Sequence, residues 1–156
     1  MEIKYIPSIL IVDDQPENCT VMRDLIASYL PAVEVVIAGS AKEGLGLIVE
    51  RAFDCALIDV KMPVMDGIEM SCRIKELHQP IYIILVSGYP ISQEEVDRIC
   101  DANIDDFIHK PLSVDLFIGR LKIMLRHQYK AREYNARIHC LLDTIEALVD
   151  KRRGCE

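Results

Sequence analysis

Residues 55–67 read Cys55-Ala-Leu-Ile-Asp59-Val-Lys61-Met-Pro63-Val-Met-Asp66-Gly67. A short apolar run ends in an acid. A turn containing Pro63 follows, and Asp66-Gly67 opens a helix with Ile68, Cys72 and Ile74 along it. The segment therefore reads as strand, loop and helix. A run that is apolar on both faces suits a strand buried between two layers of helices, as in a parallel sheet.

The same unit recurs on either side. Ser8-Ile-Leu-Ile-Val-Asp13 is an apolar run ending in acid, Val33 to Ala38 is a run rich in β-branched residues, and Ile81 to Val86 is another. Asp106-Phe-Ile-His109 is a weaker fifth. Helix signals fill the gaps. Pro16 sits where a first turn would start, and Cys19, Met22, Ile26 and Tyr29 follow at helical spacing. Ser40-x-x-Glu43 and Ser92-x-x-Glu95 both read as capping boxes. Five β-α units in series imply right-handed crossovers and a doubly wound α/β sandwich.

Composition sets bounds on this fold. The chain has 156 residues, 51% of them hydrophobic and 28% charged, enough for one packed domain with an appendage. That balance excludes a disordered chain. With 25 acidic residues against 18 basic ones the formal charge is −7, so direct nucleic-acid binding is not expected. The six cysteines form no C-x-x-C pair and no zinc spacing, and are expected to be reduced and mostly buried. Met1 to Ser8 holds one Lys and no long apolar run, and no stretch reaches the 18 residues of a membrane span. A cytoplasmic protein without membrane contact is expected.

In an open α/β sheet, ligands bind at the carboxyl ends of the strands. Asp13 and Asp14 follow the first strand and Asp59 ends the third. In the strand order 2-1-3-4-5 these two strands are neighbours, so the three carboxylates should converge. Ionised together, they require a compensating cation. Oxygen-only ligands describe Mg²⁺. Solvated acids that cap the following helices are the plainer alternative. Two further strand ends favour a site: Ser87-Gly88 after the fourth, and His109-Lys110-Pro111 after the fifth. Carboxylates, a hydroxyl and an ammonium at one rim suit phosphoryl chemistry.

With these residues in place, the chain resembles the receiver domain of two-component response regulators, a flavodoxin-like fold. The matching residues are Ile9 to Asp14, Asp59 to Gly67, Ser87-Gly88, Phe107 and Lys110-Pro111. The resemblance runs from about Ile9 to Arg126. It implies that Asp59 is a phosphoacceptor supplied by a sensor histidine kinase or phosphotransfer protein. It implies Mg²⁺ held by Asp13, Asp14, Asp59 and the backbone carbonyl of Lys61. Lys110 would pair with Asp59 and a phosphoryl oxygen, across a cis Lys110-Pro111 bond. Ser87 would donate to the phosphoryl group, and its shift would draw in Phe107. Such a chain phosphorylates and dephosphorylates itself; it is not a conventional enzyme acting on external substrates. The alternative is an interaction module that keeps the fold without phosphorylation. A hydrolase of the haloacid dehalogenase type needs an acid where Lys61 stands. A flavin-binding loop would meet repulsion from Asp13-Asp14.

The receiver is expected over residues 7–126 and a helical extension over 127–156. The fifth helix starts near Ser113 and keeps its periodicity to about Arg153, roughly 60 Å at 1.5 Å per residue. Met124, His127, Ala131, Tyr134, Ile138, Leu141, Ile145 and Leu148 alternate at spacings of three and four, the seam of a coiled coil or bundle. Lys130, Arg137 and Lys151 at g face no acids at e, where Leu142 and Val149 widen the apolar stripe. A homodimer through this helix is expected. The helix either leads to an output domain in a longer chain, the preferred reading, or completes a stand-alone receiver.

Overall fold

The computed structural model describes residues 5–153, with side-chain surroundings through residue 149. Cys155 and the side chain of Lys151 lie outside the described residues. Ten elements alternate along the chain: β1 (Ser8–Val12), α1 (Pro16–Tyr29), β2 (Glu34–Ala38), α2 (Ala41–Glu50), β3 (Cys55–Asp59), α3 (Gly67–Glu76), β4 (Tyr82–Ser87), α4 (Gln93–Asp101), β5 (Asp106–His109) and α5 (Val114–Arg153). The strands form one sheet in the order β2-β1-β3-β4-β5, and every pairing is parallel. This is the flavodoxin-like arrangement expected from the sequence. By its internal contacts the chain divides into two units, residues 1–121 and 122–156.

Both faces of the central strands are buried, which explains their unbroken apolar runs. Leu10, Val12, Ala56, Ile58, Ile83 and Leu85 join Ile48 of α2 and Ile68, Met70 and Ile74 of α3 in one cluster. Their neighbours Ile9, Ile11, Leu57, Ile84 and Val86 point to the opposite face by the two-residue period and are equally buried. Cys19, Met22 and Ile26 of α1 and Phe117 and Ile118 of α5 are buried too. Each such side chain contributes about 1.5–3 kcal/mol by leaving water.

Three local expectations need correction. Tyr29 continues the helical spacing of Cys19, Met22 and Ile26, yet it is 52% exposed. Ser40 caps α2 by accepting from the Glu43 amide, but the Glu43 carboxylate reaches back to the Gly39 amide at 2.8 Å. Only half of that capping box forms. The thiols are also less buried than expected. Cys19 and Cys55 are enclosed, Cys72 is half-covered, and Cys100 and Cys140 are exposed on helix surfaces; all five are free.

Candidate functional site

Strand register assembles the site. Val12 stands beside Ile58 and Asp59 beside Val86, so Asp13, one residue past β1, adjoins Asp59 at the end of β3. Ser87 stands beside His109, and Lys110 is the next residue. Four strand ends, those of β1, β3, β4 and β5, therefore deliver acids, hydroxyl and ammonium to the same rim of the sheet.

Carboxylate oxygens of Asp13, Asp14 and Asp59 lie within 4.8 Å of one another. Asp13 and Asp59 are buried and Asp14 is exposed. The Lys110 ammonium bridges the two buried acids, donating to Asp13 Oδ2 at 2.8 Å and to Asp59 Oδ1 at 2.7 Å. The Lys110–Pro111 bond is cis. Asp13 Oδ1 accepts from the Gln15 amide at 2.9 Å and from Asn18 Nδ2 at 3.2 Å. Asp59 Oδ2 accepts from the Lys61 amide at 2.9 Å. Each buried carboxylate is thus oriented through both oxygens.

Electrostatics follow from this enclosure. Burial pushes the Asp59 carboxyl above its ordinary value; Lys110 opposes the rise and Asp13 adds to it. Burial alone would depress Lys110, but its bonds to Asp13 and Asp59 outweigh that and raise it, so the ammonium stays charged. Burial, then the charge of Asp13, also raises the nearby Cys19 thiol, which keeps it protonated and unreactive. Three carboxylates against one ammonium leave two negative charges, and all the donors are hard oxygens. That set fits a divalent cation such as Mg²⁺.

The other expected site residues surround this cluster with contacts of their own. Ser87 is buried, but its hydroxyl donates to the Tyr89 carbonyl at 2.9 Å and accepts from the Tyr89 amide at 3.1 Å. It closes its own turn. Phe107 is half-buried, edge-on to His109 with ring centroids 4.7 Å apart. The Lys61 ammonium pairs with Glu95 of α4.

The sequence reading missed Asn18 and Glu95. Asn18 is three residues past Gln15 on α1, a spacing that places it over Asp13. Glu95 gave only a capping signal, because its link to Lys61 spans 34 positions. Asp54 was missed as well. It is buried at the opposite end of β3, accepting from the Ser8 amide at 2.8 Å and from the Tyr5 hydroxyl.

The sequence profile of the response regulator receiver domain matches residues 9–122. The chain belongs to that family. This receiver is 31% identical over 121 residues to the transcriptional regulatory protein ZraR of Escherichia coli, covering 78% of the chain and 27% of the relative. It is 33% identical over 123 residues to SrrA of Staphylococcus aureus, covering 76% of the chain and 47% of the relative. The chain thus spans less than half the length of these transcriptional regulators. Among solved structures, a CheY-like receiver domain protein from Methanospirillum hungatei superposes with a TM-score of 0.75 at 31% identity, over 81% of this chain and 99% of that one. The signal receiver domain of an HD domain-containing protein from Pseudomonas fluorescens gives 0.74 at 27% identity, over 81% and 99%. The chain is thus a receiver domain of the response regulators of two-component systems. Among its described residues no helix is long and apolar enough to cross a membrane.

Proposed function

We propose that Asp59 accepts a phosphoryl group from a sensor histidine kinase or phosphotransfer protein. The observation that carries this reading is the bridge of Lys110 between Asp13 and Asp59 inside a cluster of three carboxylates. Asp13, Asp14, Asp59 and the carbonyl of Lys61 would hold Mg²⁺. When bound, that ion would neutralise phosphoryl oxygens and so lower repulsion against an attacking carboxylate.

An Asp59 carboxylate oxygen attacks phosphorus. The phosphorus–nitrogen bond of a phosphohistidine breaks, and its electron pair leaves with the imidazole. The product is a mixed carboxylic–phosphoric anhydride. Lys110, held charged beside Asp59, stabilises negative charge on the transferred group. Ser87 exchanges its bond to Tyr89 for one to a phosphoryl oxygen, which vacates space toward Phe107 and remodels the face of α4, β5 and α5. Water later attacks phosphorus, the bond to Asp59 breaks, and the carboxylate is restored with release of phosphate.

The receiver acts as a cytoplasmic switch over residues 7–126. The extension that begins at residue 127, helical through Arg153, pairs two copies and transmits the change to an output. Exposed Tyr134, Ile138, Leu141, Leu142, Ile145, Leu148 and Val149 supply its apolar stripe. Fluorine NMR with Mg²⁺ and beryllofluoride tests the acceptor. Slowly exchanging bound-fluoride signals are expected for the wild type and not for Asp59→Ala. An unphosphorylated interaction module would show none with either.

A further inference from the structure

Helix α4 is weakly anchored by packing. None of its residues is fully buried, Val96 is 38% exposed, and Ile99 reaches the core cluster only in part. Two ion pairs tie it down, and both lead to the loop that starts at Asp59. Lys61 pairs with Glu95, and Arg98 pairs with Asp66 at 3.1 Å. Asp66 is the N-cap of α3, accepting from the Glu69 amide at 2.7 Å. A helix with few buried apolar contacts takes its order from such polar ties.

The first tie is continuous with the acceptor. The Lys61 amide donates to Asp59 Oδ2 at 2.9 Å, and the Lys61 ammonium donates to Glu95 Oε1. Glu95 Oε2 accepts from the Ser92 amide at 2.9 Å and from the Ser92 hydroxyl at 3.1 Å. The Ser92 hydroxyl in turn accepts from the Glu95 amide at 3.2 Å. One carboxylate thus closes the capping box of α4 and holds the residue whose amide touches Asp59.

We propose that Lys61 and Glu95 couple the state of Asp59 to the first turn of α4, with Glu95 as the positioning residue. The inference rests on the reading of Asp59 as the phosphoacceptor. Forming the anhydride removes the carboxylate charge from Asp59, which weakens Oδ2 as acceptor for the Lys61 amide. It also places a new anionic group beside Lys61 that competes with Glu95 for the ammonium. Lys61 then leaves Glu95, and α4 keeps its capping box but loses one of its two ties. This route runs through β3–α3 and is separate from Ser87 and Phe107.

Amide hydrogen exchange of the full chain, with Mg²⁺ and with or without beryllofluoride, tests it. In the wild type, beryllofluoride raises exchange over 92–97 by about two- to fivefold, the factor that matches loss of an exposed ion pair. Lys61→Met and Glu95→Gln show the raised exchange without beryllofluoride and lose most of the increment; the glutamine keeps the capping acceptor. The double variant behaves like either single one. Arg98→Gln raises the basal exchange but retains the increment. A full wild-type increment in Lys61→Met, with residues 59–66 responding normally, overturns the coupling and leaves the acceptor reading intact. No response at residues 59–66 in the wild type overturns both.

Discussion

A Cβ placed on Gly67 would lie 2.2 Å from the carbonyl oxygen of Asp59. The first residue of α3 therefore rests directly on the backbone of the proposed acceptor, and the Gly67 amide donates to the Val60 carbonyl at 2.9 Å. The two nearest backbone atoms belong to Asp59 and cannot yield as a side chain would, so a methyl group forces the loop away from the helix. Gly67→Ala is expected to destabilise the fold by about 1–3 kcal/mol, the range for overpacking a tight site. Urea denaturation of both proteins measures this. The displaced loop carries Lys61, so beryllofluoride affinity should fall as well.

Lys110 neutralises two buried acids at once. In Lys110→Met the Asp13 and Asp59 carboxylates lose that cation, and the Asp59 carboxyl moves further above its ordinary value. Phosphorylation by acetyl phosphate is expected to slow by about 10²- to 10³-fold, the effect of removing one oriented charge-stabilising donor. Circular dichroism should stay native, because the apolar core does not include this side chain.

Glu95 gives a pH dependence whose sign is fixed. Its bond to Lys61, and then those to Ser92, lower its pKa from 4.5 to about 2. A depressed folded-state value means that the stabilisation is complete above about 4.5 and fades as pH falls toward about 2. Amide exchange over the first turn of α4 should therefore rise on acidification through this window, after correction for the intrinsic exchange rate. In Glu95→Gln it should not.

The stripe on α5 predicts association. Leu141 is 63% exposed and Leu148 60% exposed, at matching positions one heptad apart. Light scattering at micromolar concentration should give a dimer mass for the wild type and a monomer mass for Leu141→Glu with Leu148→Glu. A monomeric wild type, with and without beryllofluoride, would contradict the pairing.

Much of this was legible in the chain. β1 and β3 fall where their apolar runs place them, since strands buried on both faces leave an unmistakable run; β5, only partly buried, leaves a weaker one. The convergence of Asp13, Asp14 and Asp59 follows from strand order alone. What escaped the sequence depends on side-chain choices between equal partners. The Ser87 hydroxyl takes the Tyr89 backbone, Glu43 takes the Gly39 amide, and Glu95 takes Lys61 from a distant loop. The need for glycine at residue 67 was also hidden. Asp-Gly signals a turn, but only the packed structure reveals that the Asp59 carbonyl fills the space of a Cβ.

Intact-mass measurement after incubation with Mg²⁺ and acetyl phosphate tests the central claim most directly. The wild type is expected to gain the mass of one phosphoryl group, which peptide mapping places on Asp59 and which mild alkali removes. Asp59→Asn is expected to gain none. No gain in the wild type, or an equal gain in Asp59→Asn, would contradict the account.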